Sequence, residues 1–346
     1  VQYAMQIILL FVFKNYYFYV IVLPIFTIFN NFVCAYWAKK MFPQYVCRGK
    51  ISQEMMGGIK KNIKGLFFQK IGWIVLTSSD NIIISTFLGL KLVAMYNNYY
   101  CIISALVGVL AVINNSIKPS VGNSLISEPL EKNAADLRKF NFMYLWLISI
   151  CCVCLVVLFQ PFMTIWMGKS LLLPFNFVIL LTLQFYVYKN CDILYVYQES
   201  AGKWWSARFV PMIAAIVNLS ANIFLVRHIG INGVVISTII SFVFVYNIGY
   251  MKIVFGEVFH SFKEGKHFFL IHACFLIVTI FNCALVYFIC SFIHVSGIIG
   301  LILKLVICLV IPNVIMLIVY CKSPEFKMSM IFVKNLVGKV FKRSKS

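Results

Sequence analysis

The feature that most constrains this chain is a succession of ten apolar runs separated by short polar loops. They fall at 1–13, 16–38, 66–90, 93–118, 141–165, 174–198, 207–227, 231–254, 267–292 and 297–321. Apart from the first, each is about 20 to 26 residues long, enough for a helix to cross a hydrocarbon core and too long for a membrane strand. Inside lipid a helix satisfies its own backbone hydrogen bonds, which an open strand does not. The chain therefore reads as an all-α polytopic membrane protein with about ten transmembrane helices. A hydrophobic share of 62%, a charged share of 12% and a mean hydropathy of +0.93 fall outside the range of soluble domains.

The formal net charge of +20 would suggest a nucleic-acid partner in a soluble domain. Here its placement gives another reading, and no nucleic-acid partner is expected. Of the 30 basic residues, 24 lie in one alternating set of loops. That set holds Lys39, Lys40, Arg48, Lys50, Lys60, Lys61, Lys64 and Lys70, then Lys118, Lys132, Arg138 and Lys139. It continues with Lys203, Arg208, Lys252, Lys263 and Lys266, and ends with seven basic residues from Lys322 to Lys345. The opposite loops carry only Lys14, Lys91, Lys169 and Arg227. The positive-inside rule then puts the C-terminus and the 39–65 loop in the cytoplasm. Two segments on that side are amphipathic: Ile51, Met55, Ile59 and Ile63 among lysines, and a tail with Phe326, Ile331, Phe332, Leu336, Val340 and Phe341. Both suit a basic helix on an anionic membrane surface, and both equally suit ordinary topology-fixing charge.

The 12 cysteines lie mostly inside apolar runs, Cys151, Cys152 and Cys154 sharing one of them, so they read as small buried apolar residues with no metal. No Walker motif and no His-Glu-x-x-His site occurs, and no loop exceeds roughly 30 residues, the room a soluble catalytic domain would need. An enzyme is therefore not expected, and neither is a cofactor beyond a possible coupling H+ or Na+.

Polar residues inside the runs mark the candidate site. Asp80 and Asn81 sit near the middle of the third run, on the order of 14 Å from either surface at 1.5 Å per residue. A carboxylate there costs roughly 2.5 to 3.5 kcal/mol to insert and demands a polar cavity, a partner or an ion. At 100° per residue, Lys70, Trp73, Thr77, Asp80 and Asn81 share one arc. In the fourth run Asn97, Cys101, Ser104, Gly108, Ala111 and Asn115 form a narrow stripe, read chiefly as a surface for close helix packing. Tyr188, Asp192, Tyr195 and Glu199 align in the sixth run with Lys189 at the edge; Arg208, Pro211, Asn218 and Asn222 align in the seventh. Four consecutive wet faces point to a cavity between helices. Two readings stand for Asp80, bonding across helices or contact with an ion or substrate. Two also stand for Lys189 and Asp192, a local i, i+3 pair or a cation offered to an anionic head group. Lys304 either snorkels or faces a groove.

The run QKIGWIVLTSSDNIIISTFLGLKLVAMYNNYYCIISAL, with KPSVGNSL after it, resembles the Wzx-type polysaccharide flippases of the multidrug/oligosaccharidyl-lipid/polysaccharide exporter superfamily. The likeness resumes at QPFMTIWMGKSLLLPFNFVILLTLQFYVY and at ESAGKWWSARFVPMIAAIVNLSANIFLVRHIGINGVVISTIIS. After Trp204 and Trp205 the family commonly carries further charges; here only Arg208 and Pro211 match that pattern. The resemblance implies a two-lobed MATE-like exporter fold. On that scheme 1–38 is the end of an N-terminal lobe whose earlier helices are missing, and 39–65 is an amphipathic cytoplasmic inter-lobe segment. Residues 66–254 form the C-terminal six-helix lobe, 255–321 two additional helices, and 322–346 a basic cytoplasmic tail. It further implies alternating-access translocation of undecaprenyl-pyrophosphate-linked oligosaccharide across a bacterial inner membrane, for capsule, exopolysaccharide or O-antigen synthesis. Expected partners are that lipid-linked oligosaccharide, membrane lipids, and the polysaccharide polymerase and glycosyltransferases of the pathway. A cation-coupled multidrug exporter, a lipid II flippase of the same superfamily, and an integral membrane enzyme of envelope polysaccharide synthesis are the competing expectations.

Overall fold

The computed structural model describes residues 2–45, 49–295 and 297–343. Arg48 and Lys345 lie outside the described residues, as do the side chains of Leu336, Val340 and Phe341. Among the described residues every regular element is helical, so the all-α reading holds. The chain divides into two compact units, Val1–Gly57 and Gly58–Ser346.

The first unit is a hairpin of α1 (Gln2–Phe13) and α2 (Tyr16–Met41). Asn15 caps α2 by accepting from the Tyr17 amide at 2.9 Å, and Gln6 Nε2 donates to the Tyr19 carbonyl at 3.2 Å. Val22 is buried in the hairpin, and most other apolar side chains of the two helices are exposed.

The second unit begins within α3 (Gln53–Phe87), so the amphipathic segment from Gln53 onward and the third apolar run are one continuous helix. There follow α4 (Leu90–Ser127), α5 (Leu130–Met167), α6 (Phe175–Lys189) and α7 (Asp192–Ser200). Next come α8 (Val210–Ile229), α9 (Ile231–Ser241) and α10 (Ile248–Ile253), then α11 (Phe262–Ser291), α12 (Gly297–Tyr320) and the tail helix α13 (Pro324–Arg343). Eight of the described helical segments are long and apolar enough to cross a membrane: α2, α4, α5, α6 with α7, α8, Ile231–Val258, α11 and α12. α3 falls short of their apolarity because Lys70, Thr77, Ser78, Ser79, Asp80 and Asn81 interrupt it, and α1 is too short.

Two departures from regular helix matter for the site. α6 and α7 are one span broken at Asn190 and Cys191, and Phe242–Asn247 and Val254–Val258 are π-helical on either side of α10. Such backbone is tolerated at membrane depth where protein covers it or a cavity lies beside it. Here protein covers part of it: Asn247 Nδ2 donates to the Val187 carbonyl at 3.2 Å and to Asn190 Oδ1 at 3.1 Å. The His272 ring bridges the break from α11, lying 2.9 Å from the Asn190 carbonyl and 2.8 Å from that of Phe268.

α5 is the hub. It meets α11 through Ser149 and Thr279, whose hydroxyls are 2.7 Å apart, and α12 through Trp146 Nε1, which donates to Asn313 Oδ1 at 2.8 Å. It meets α13 through Phe140 against Phe332 and Trp146 stacked on Phe326. The tail therefore commits one face to protein and leaves Met330, Ile331 and Val333 exposed. α3 approaches the start of α8 backbone to backbone: a Cβ added at Gly72 would lie 2.5 Å from the Met212 nitrogen, and one at Gly65 would lie 2.7 Å from the Trp204 carbonyl oxygen. Only glycine permits that approach. The stripe on α4 is different. Asn97, Cys101, Ser104 and Gly108 are exposed, and a Cβ at Gly108 would meet nothing within 4 Å. The expected close helix packing is not found there.

Candidate functional site: two adjoining cavities among α3, α4, α6, α7 and α9

The close approach of α3 to α8 carries Asp80 into a polar cluster shared by four helices. Asp80 is 6% exposed. Its Oδ1 accepts from Asn222 Nδ2 on α8 at 3.0 Å, and its Oδ2 from the Thr238 hydroxyl on α9 and the Tyr96 hydroxyl on α4, each at 3.3 Å. The cluster extends outward. The Ser79 hydroxyl donates to Asn218 Oδ1 at 2.8 Å, Asn218 Nδ2 to the Thr238 oxygen at 3.0 Å, and the Ser237 hydroxyl to Asn222 Oδ1 at 2.6 Å. Bonding across helices is thus what surrounds Asp80, and Asn218 and Asn222 act within it rather than on a cavity wall. The cluster is rich in hard oxygen donors, the set that alkali and alkaline-earth cations take. Among the described residues no group of three or more His, Cys, Asp and Glu is disposed to hold a metal ion.

Beside this cluster lies a cavity of about 40 Å³, lined by Thr77, Asp80, Asn81, Tyr100, Gln184 and Thr238 among others. Asn81 Oδ1 and Gln184 Oε1 are buried with no hydrogen-bond partner among the described residues. Trp73 and Tyr188, stacked with ring centroids 5.7 Å apart, line this cavity and the larger one next to it.

The larger cavity holds about 250 Å³. α3 contributes Gln69, Lys70 and Trp73; α4 contributes Ala111, Asn114, Asn115 and Lys118; the broken span contributes Tyr188, Lys189, Asp192 and Tyr195. Tyr246 of the π-helical stretch and Tyr250 of α10 complete the wall. The break explains the charges. Lys189 closes α6 and Asp192 opens α7, so each sign meets the half-helix end that favours it. Their side chains pair at 2.8 Å, as the i, i+3 spacing suggests. Asp192 Oδ2 also accepts from the Tyr144 hydroxyl at 2.6 Å and Asn114 Nδ2 at 3.0 Å, which ties the break to α5 and α4. Lys189 Nζ lies 3.9 Å from the Tyr188 ring centroid, a cation–π contact. Lys118 pairs with Glu199 and stands over the Tyr195 ring. Lys70 is exposed and has no carboxylate within ion-pair distance among the described residues. Asp192 is the only carboxylate among the lining residues, against three lysines.

Of the thirteen residues singled out from sequence, Lys70, Trp73, Tyr188, Lys189, Asp192 and Tyr195 line the larger cavity, and Thr77, Asp80 and Asn81 the smaller. Two lie elsewhere. Asn97 is exposed on α4, away from both cavities, and Arg208 turns back on its own segment. Its guanidinium donates to the Trp205 carbonyl at 2.6 Å and stacks on the Trp205 and Phe209 rings. Sequence reasoning missed Gln69, Asn114, Lys118, Tyr144, Tyr246 and Tyr250. Asn114 lies one residue from the noticed stripe, and Tyr246 and Tyr250 at i, i+4 were a legible signal. Tyr144 carried none. Set against protein-family models, curated proteins and solved structures, the chain matches none of them.

Proposed function

We propose that this protein translocates undecaprenyl-pyrophosphate-linked oligosaccharide repeat units across a bacterial inner membrane by alternating access, supplying capsule, exopolysaccharide or O-antigen assembly. The observation that carries the reading is the larger cavity, where three lysines stand with stacked aromatics and amides inside an apolar helical protein. Ammonium groups meet a diphosphate through charge-assisted hydrogen bonds. Aromatic faces and amides suit the apolar faces and hydroxyls of sugars. Lys189 is paired with Asp192 and Lys118 with Glu199, so Lys70 supplies the net positive charge, which weighs against lipophilic cations and hence against a multidrug exporter. Coupling to H+ or Na+ is assigned to Asp80, the carboxylate buried among oxygen donors beside the smaller cavity.

The test is complementation of a flippase-deficient strain by the full-length protein, with surface polysaccharide and efflux of a lipophilic cation read in parallel. Restored polysaccharide without dye efflux is expected, and Lys70→Gln combined with Lys189→Gln lowers it at least tenfold at equal protein level. Dye efflux without polysaccharide would replace this reading with drug export. For coupling, Asp80→Asn is expected to lower export while the protein still accumulates and inserts; undiminished export would remove Asp80 from the mechanism.

A further inference from the structure

The largest cavity described is not the polar one. A groove of about 640 Å³ opens on the outer side of the broken span, between the π-helical Phe242–Asn247 stretch with α10 and the facing side of α11. Its wall is apolar, including Val243, Ile248, Phe255, Phe269, Ala273 and Leu276. Phe244, Phe262 and Phe269 are each more than 60% exposed along it, so it opens sideways and not into the core.

Two lysines stand at one end, Lys252 from α10 and Lys266 from α11, both exposed. The carboxylates nearest to them in sequence are committed elsewhere. Glu264 takes Arg138 at 2.8 and 2.9 Å, and Glu257 accepts from the Ser206 hydroxyl at 2.6 Å with Lys203 at 3.8 Å. Among the described residues neither Lys252 nor Lys266 has a carboxylate partner. Deeper in the groove the His272 ring faces two backbone carbonyls and the Tyr186 hydroxyl donates to the His272 carbonyl, so neither offers a further charge. From Lys266 to Leu276 the wall of α11 runs ten residues, about 15 Å at 1.5 Å per residue, which is half of a hydrocarbon core about 30 Å thick. The groove is therefore one leaflet deep, apolar along its length and cationic at the end where a head group lies.

We propose that this groove is a binding site for an anionic diacyl phospholipid, its phosphate between Lys252 and Lys266 and an acyl chain along α11. Charge complementarity and depth select this occupant over a zwitterionic lipid, which gains nothing net from two unpaired ammonium groups. Bound there, the lipid covers the π-helical and broken backbone on the side that protein leaves open. The site is independent of the transport reading, since it shares no lining residue with the polar cavities.

Native mass spectrometry of the detergent-purified chain tests it, with phosphatidylglycerol, phosphatidylcholine or undecaprenyl phosphate added in turn. Phosphatidylglycerol is expected to be retained one to one in preference to both others. Lys252→Gln with Lys266→Gln is expected to weaken that retention roughly thirtyfold, at about a fivefold effect per lysine. Ala273→Trp, which fills the chain path, is expected to abolish it while leaving the monodisperse gel-filtration peak unchanged. Equal retention of phosphatidylglycerol and phosphatidylcholine, unaltered binding in the lysine double variant, or preferential retention of undecaprenyl phosphate would each overturn the proposal.

Discussion

Single side chains carry more than their sequence setting suggests. Lys189 and Asp192 satisfy the simple i, i+3 expectation, yet Asp192 also takes the Tyr144 hydroxyl and the Asn114 amide. Removing one charge of a buried pair strands the other, at a cost of about 3 to 5 kcal/mol, whereas removing both is nearly neutral. Lys189→Met alone should therefore lower thermal stability in detergent sharply. Lys189→Met combined with Asp192→Asn should recover most of the loss while export stays impaired, and a double variant no more stable than the single one would contradict the pair. Gly72 is equally specific. An added Cβ 2.5 Å from the Met212 nitrogen forces α3 and α8 apart, so Gly72→Ala should destabilise by about 1 to 3 kcal/mol. The same change at Gly108, inside α4 where a Cβ meets nothing within 4 Å, should cost nothing and gain up to about 1 kcal/mol of helix propensity in the same melting assay.

At the scale of elements, the interrupted helices organise the molecule. The break at Asn190 positions opposite charges at facing helix ends on the cavity side, and its other side is braced by His272 and Asn247. Leaving a buried carbonyl without its donor costs about 1 to 3 kcal/mol. His272→Phe should therefore raise hydrogen exchange at residues 188–193 while leaving α4 and α5 protected; unchanged exchange at the break would show that Asn247 suffices. α13 shows a different use of an amphipathic helix. The sequence suggested a membrane surface or simple flanking charge, and the structure adds docking on α5 by Phe326 and Phe332, with His267 and Glu325 at 3.0 Å.

For the whole molecule, the eight long apolar helical segments establish a multi-pass membrane protein. The side on which its C-terminus lies is a matter of charge. With basic residues concentrated in alternate loops and the tail, a C-terminal fluorescent-protein fusion is expected to fluoresce and a C-terminal alkaline phosphatase fusion to be inactive. Active phosphatase would invert the topology and move the phospholipid groove to the outer leaflet.

The all-helical class and the position of the apolar spans were legible in the sequence because they rest on local physics, although eight of the described segments, not ten, are long and apolar enough to cross a membrane. Apolar length sets membrane crossing, and a 100° period puts Trp73, Thr77 and Asp80 on one face whatever else the chain does. Six of the residues chosen in this way line the larger cavity. What the local pattern leaves open is which faces meet. Asp80 is held by groups 16, 142 and 158 residues further along the chain, and Asp192 by groups 78 and 48 residues away. The break at Asn190 carries no proline or glycine to announce it. It exists because His272 and Asn247 supply the hydrogen bonds that a continuous helix would have made itself. Periodicity locates a polar face; only the packing of α3, α4, α8 and α9 decided that Asp80 is a junction among helices, because its partners are assembled by tertiary contact alone.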